Sequence, residues 1–119
     1  MEAEELVKYC LSKKEAYLEY PFGDIPICVK VRKKIFAEIY PQPDNYKITL
    51  KCEPMLADFY RMQYPGVVVR GYHCPPVQQQ YRNTVYADRI AEEELLNMID
   101  HSYEQVILSF PKKVRQELL

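Results

Sequence analysis

The chain has 119 residues, of which 48% are hydrophobic and 28% charged, and its formal net charge is −1. This is one domain's length with enough apolar side chain to bury a core, so residues 1–119 are expected to form a single ordered domain. No run approaches the roughly 20 apolar residues of a membrane-spanning helix, and the near-neutral balance excludes a strongly basic nucleic-acid binder.

The first element predicted is a helix from Ala3 to Ser12, where Leu6, Val7, Cys10 and Leu11 recur at helical spacing and Glu4 and Glu5 suit the positive end of its dipole. Tyr17 to Asp24 reads as an extended lead-in that ends in a turn. Three strands follow. Ile27, Val29 and Val31 alternate with Cys28 and Lys30, Arg32-Lys33 makes a polar turn, and Ile35 to Tyr40 continues until Pro41-Gln42-Pro43-Asp44-Asn45. In the third strand Tyr46, Ile48 and Leu50 alternate with Lys47, Thr49 and Lys51. Connections this short predict an antiparallel meander.

Pro54 then opens a helix whose stripe of Met55, Leu56, Phe59, Tyr60 and Gln63 stops at Pro65-Gly66. Val67 to Val69 reads as a short strand, Gly71 to Asn83 as a loop, and Thr84-Val85-Tyr86 as another strand. The clearest helix begins near Ala91 and aligns Leu95, Leu96, Ile99, Tyr103, Val106, Ile107 and Phe110, with Glu92, Glu93 and Glu94 in its first turn. A last short helix runs from Pro111 toward Leu119. The order helix, three strands, helix, two strands, helix predicts an α+β fold, a two-layer sandwich of antiparallel sheet with helices on one face.

The residues carry a family resemblance. Tyr20-Pro21-Phe22-Gly23-Asp24, Ile48-Thr49-Leu50-Lys51-Cys52-Glu53-Pro54 and Gly71-Tyr72-His73 run in order with Asn83-Thr84-Val85-Tyr86, Ser102-Tyr103-Glu104-Gln105-Val106 and Pro111-Lys112-Lys113. Together they resemble the MmcQ/YjbR-like family of small bacterial proteins. The resemblance implies the same sandwich and a non-enzymatic module that contacts DNA through a "double-wing" arrangement. Where the family commonly carries Asn-Lys and then His-Trp after Gly-Tyr-His, this chain has Cys74-Pro75-Pro76-Val77 and Gln78-Gln79-Gln80-Tyr81, and it contains no Trp.

Charge supplies the candidate site. Residues 25–51 hold six basic side chains, Lys30, Arg32, Lys33, Lys34, Lys47 and Lys51, against only Glu38 and Asp44. Cations around a hairpin tip suit contact with DNA phosphates. Tyr72, His73, Tyr81 and Arg82 mark a second candidate, a loop or groove for a small ligand. A protein-interaction or chaperone-like module working through its sheet face is the alternative from another class.

Catalysis, metal and cofactor are not expected. His73-Cys74 is a lone adjacent pair, His101 lies on the last long helix, and the chain has no Gly-rich phosphate loop, GxSxG or HExxH. The acidic N-terminus lacks the pattern of a secretory signal, and Cys10, Cys28, Cys52 and Cys74 are scattered. A reducing cytoplasm and free thiols are therefore expected.

Overall fold

The computed structural model describes residues 1–119. Six strands form one antiparallel sheet: β1 (Tyr17–Glu19), β2 (Ile27–Val31), β3 (Lys34–Tyr40), β4 (Lys47–Lys51), β5 (Val68–Arg70) and β6 (Arg82–Tyr86). Their spatial order is β1-β2-β3-β4-β6-β5. Four helices accompany them, α1 (Ala3–Leu11), α2 (Pro54–Gln63), α3 (Glu92–Leu108) and α4 (Lys112–Leu118). The fold is α+β, with the helices packed on the sheet. None of the helices is long and apolar enough to cross a membrane.

Two elements differ from the sequence reading. The lead-in at Tyr17 is an edge strand, β1, paired with β2 through Tyr17–Lys30, Leu18–Val29 and Glu19–Cys28. At three residues it is too short for periodicity to reveal, and its partner lies across a turn. The segment expected to be a loop contains a 3₁₀ helix, Pro76–Tyr81, that runs directly into β6. Pro76 fits its first turn because it needs no amide donor there.

Register assigns the two faces of the sheet, since directly opposed residues of antiparallel strands share a side. One face carries Val29, Ala37, Ile39, Ile48, Leu50, Val85 and Val68, all within a core of 19 buried residues. Leu6 and Cys10 of α1, Leu95, Met98, Ile99, Val106 and Ile107 of α3, and Leu118 of α4 pack against them, and Val31, Phe36, Ala87 and Phe110 complete that core. The opposite face carries a transverse row, Cys28, Glu38, Thr49, Thr84 and Val69.

A β-bulge sets these assignments on β3. Val29 opposes Ala37 but Lys30 opposes Ile35, so Phe36 is the extra residue. Strict alternation would turn Phe36 away from the helices; with the bulge it joins Ala37 in the core, fully buried, edge-on to Tyr103 at 5.2 Å. Ile35 consequently falls on the opposite face.

Ser102 of α3 anchors the helix at the same place. Its hydroxyl donates to the Phe36 carbonyl oxygen at 2.6 Å and accepts from the Lys51 amide at 2.9 Å. These bonds bridge β3 and β4 just beyond their last paired residues, Ala37 and Leu50. Replacing Ser102 by Ala strands two backbone groups at once. Urea denaturation of Ser102→Ala is expected to show a loss of about 2–3 kcal/mol, from the cost of unsatisfied buried polar groups.

Candidate functional site

The six cations of the hairpin region do not form a free patch. Lys30 donates to Glu19 at 2.7 Å, and Arg32 grips Glu15 at 2.7 Å and Glu117 at 3.0 Å. Lys34 donates to Ser109 Oγ at 2.9 Å, where the carbonyl end of α3 favours a cation, and it lies over the Phe110 ring. Lys47 lies over Tyr40. Lys33 projects from the turn with no ion pair, its backbone amide donating to the Tyr17 hydroxyl at 3.1 Å.

Lys51 is different. It stands over the Tyr81 ring, opposite Arg82 in the ladder, and neither Lys51 nor Arg82 has a carboxylate partner. Burial lowers the Lys51 pKa, and repulsion from Arg82 and then Lys34 lowers it further. Lys51 and Arg82 thus lie side by side without a counter-ion.

Arg82 also lines a groove of about 580 Å³ on the sheet face that carries the polar row. Phe22 and Pro26 form one wall. His73, Cys74, Pro75 and Gln78 form the other, and Ile35, Glu38 and Tyr40 lie along β3 between them. The volume is within the range of small-molecule sites. Of the loop residues singled out from sequence, His73 and Arg82 line this groove. Tyr72 is 71% exposed and does not line it, and Tyr81 lies beneath Lys51 and Arg82.

Glu38 is the one charged residue among the buried ones, 9% exposed, and sequence reasoning did not select it. Its single side-chain hydrogen bond runs to His73 Nε2 at a long 3.3 Å. The Cys74 thiol approaches the same nitrogen at 3.7 Å, so His73 and Cys74 both stand beside Glu38. Ligating atoms of all three lie within 4.8 Å of one another. Tyr40 meets the His73 ring edge-on at 5.8 Å, and burial, then the nearby Glu38 and Cys74, push its hydroxyl pKa up to about 12.

The geometry does not suit nucleophilic catalysis. A base that relays a proton between nucleophile and carboxylate uses its two ring nitrogens, whereas both contacts of His73 fall on Nε2. Burial and the Glu38 charge also raise the Cys74 pKa, opposite to what a reactive thiolate requires. Cys10, Cys28 and Cys52 are buried free thiols, and all four cysteines are unpaired.

The loop is held to β6 by backbone. The Gly71 amide donates to the Arg82 carbonyl at 2.8 Å, the Cys74 amide to the Gly71 carbonyl at 2.9 Å, and Gln79 Nε2 to the Cys74 carbonyl at 3.0 Å. Gly71 fits a close approach, because a Cβ there would lie a tight 3.3 Å from Arg82 Cβ, Arg82 O and Cys74 Sγ. Away from the groove, Met55, Phe59 and Met62 are exposed on α2, so the most evident apolar stripe for a protein partner is on a helix and not on the sheet face.

Comparison with known proteins agrees with this architecture. The family model described as YjbR matches residues 11–105. The crystal structure of a Deinococcus radiodurans protein with domain DUF419 superposes with a TM-score of 0.87 at 24% identity, covering 98% of this chain and 87% of that one. A structurally characterised Pseudomonas syringae protein gives 0.72 at 18% identity, covering 88% of this chain and 98% of that one. At such identities these likenesses show the fold. No curated protein matches. The chain belongs to the YjbR family.

Gly71→Ala is expected to lower stability by about 1–2 kcal/mol through overpacking, read by thermal unfolding, and to disturb the amide resonances of His73 and Cys74 before those of the core.

Proposed function

We propose that this YjbR-family chain is a non-enzymatic binding module whose recognition surface is the groove, and that its ligand is a small anion with an apolar or aromatic body. The observation that carries this reading is the position of Arg82, an unpaired guanidinium on the wall of a concavity, with unpaired Lys51 beside it. A planar guanidinium suits bidentate capture of a carboxylate or phosphate. Phe22, 64% exposed, and Tyr40 offer aromatic surface for the ligand's body. An anion would also relieve the repulsion that Lys51 experiences.

Contact with DNA is the second reading, favoured by the family resemblance and by the unpaired Lys33, Lys51 and Arg82. It has fewer charges at its disposal than the sequence suggests, because Lys30 and Arg32 are matched by Glu19, Glu15 and Glu117. Each neutralised cation removes one phosphate contact and its share of the salt dependence.

Two titrations separate the readings. Screening aromatic carboxylates and mononucleotides by protein-observed NMR is expected to shift resonances of Phe22, Tyr40, His73 and Arg82, and Arg82→Ala is expected to weaken the best binder about tenfold, for loss of one charged hydrogen-bonding partner. Absence of shifts at those residues would overturn the groove reading. Labelled duplex DNA is expected to remain free at about 50 mM salt, where phosphate contacts are strongest. Saturable binding there, lost in Lys33→Ala, would establish the second reading instead.

A further inference from the structure

We infer that Glu38, His73 and Cys74 form a zinc site with its fourth position open to the groove. The inference goes beyond the binding of an organic anion and does not depend on it.

The three side chains come from two separated segments, the central strand β3 and the turn after Gly71, and they meet at one point. A tetrahedral zinc ion with bonds of about 2.0–2.1 Å to nitrogen, about 2.0–2.2 Å to oxygen and about 2.3 Å to sulfur has edges of roughly 3.3 Å between nitrogen and oxygen and roughly 3.6 Å between nitrogen and sulfur. The observed separations are 3.3 Å from His73 Nε2 to Glu38 Oε1 and 3.7 Å from His73 Nε2 to Cys74 Sγ. The third edge, sulfur to carboxylate, is within 4.8 Å.

Hydrogen bonding alone accounts poorly for this cluster. A ring nitrogen carries either one hydrogen or one lone pair, so Nε2 makes one good hydrogen bond and not two. Both neighbours nevertheless converge on it, at long distances. An ion on the Nε2 lone-pair axis serves all three groups at once. It also resolves the charge of Glu38, a buried carboxylate otherwise held by one long bond. With a carboxylate and a thiolate as ligands, a divalent ion leaves the site electrically neutral.

The donor set of one nitrogen, one oxygen and one sulfur suits a borderline-soft ion and disfavours magnesium or calcium, which prefer oxygen alone. The His73 side chain is 41% exposed, so an ion can enter from solvent. Three protein ligands leave one position for water or for a donor atom of a groove ligand. Binding exchanges the Cys74 sulfur–hydrogen bond for a sulfur–zinc bond and releases the proton to solvent.

The test uses the full chain stripped with a chelator and titrated with zinc by calorimetry, and with cobalt(II) as the spectroscopic probe. One equivalent of zinc is expected to bind, to release protons and to raise the melting temperature. Cobalt is expected to give a thiolate-to-metal charge-transfer band and the visible bands of a four-coordinate ion. Cys74→Ser is expected to abolish the charge-transfer band, and His73→Gln and Glu38→Gln each to weaken zinc about 100-fold or more, at or beyond the cost of losing an outer-shell partner. Arg82→Ala is expected to keep zinc binding, which separates failure of this site from failure of the groove reading. Circular dichroism and melting of the metal-free variants establish that each is folded. No binding of a stoichiometric equivalent, a charge-transfer band that persists in Cys74→Ser, or zinc affinity unchanged in His73→Gln or Glu38→Gln would overturn the assignment.

Discussion

The extra residue in β3 is the constraint on which the rest of the molecule turns. Because Lys30 opposes Ile35 while Val29 opposes Ala37, the chain on either side of Phe36 is out of phase with simple alternation. One part of the strand sends Phe36, Ala37 and Ile39 to the helices, and Ile35, Glu38 and Tyr40 line the groove. A regular strand would place Ile35 with the core and Phe36 with the groove, and would lose the edge-on contact between Phe36 and Tyr103. Ser102 fixes the irregularity from above by satisfying Phe36 O and Lys51 N together. Core packing and groove lining are therefore two consequences of a single register shift.

The same geometry explains why charge density along the chain misleads about charge in space. The acidic N-terminal segment and the basic hairpin are separate in sequence, but β1 lies beside β2 and brings Glu19 to Lys30. Glu15 and Glu117 then reach Arg32 from the two ends of the chain. Exposed pairs of this kind contribute little stability. Their effect here is to remove cations from the surface available to a polyanion. Lys51 and Arg82 escape pairing because the strands beside them, β4 and β6, bring no acid to that end of the sheet.

Long elements with a strong period were readable from sequence, and their order alone suffices for the sandwich. Helix α3 is the plainest case, since Leu95, Ile99, Val106 and Ile107 all face the core as their spacing requires. What periodicity could not reveal lay in tertiary pairing. Strand β1 is defined by its neighbour and not by its own pattern. The 3₁₀ helix at Pro76–Tyr81 has too few residues for a stripe. Nothing in the local sequence of Glu38 announces that residues 73 and 74 fold back over it. Its one visible signal was an acid flanked by Phe36, Ala37, Ile39 and Tyr40, which makes burial costly without a partner.

The loop that departs from the resembled pattern gives the groove one of its walls. Directly after Gly71-Tyr72-His73 come Cys74 and Pro75, and both line the groove. The Cys74–Pro75 pair adds no cation to the groove, whose positive charge comes from Arg82 with Lys51 beside it. It also puts a thiol against His73 and, through the close approach at Gly71, presses the turn onto β6. The chain has no Trp, and Tyr81 lies against Lys51 and Arg82 and does not line the groove. The scaffold is thus that of the family, while the groove is lined from several elements, of which this loop supplies His73, Cys74, Pro75 and Gln78. Family membership consequently constrains the fold of this chain far more tightly than it constrains what the groove selects.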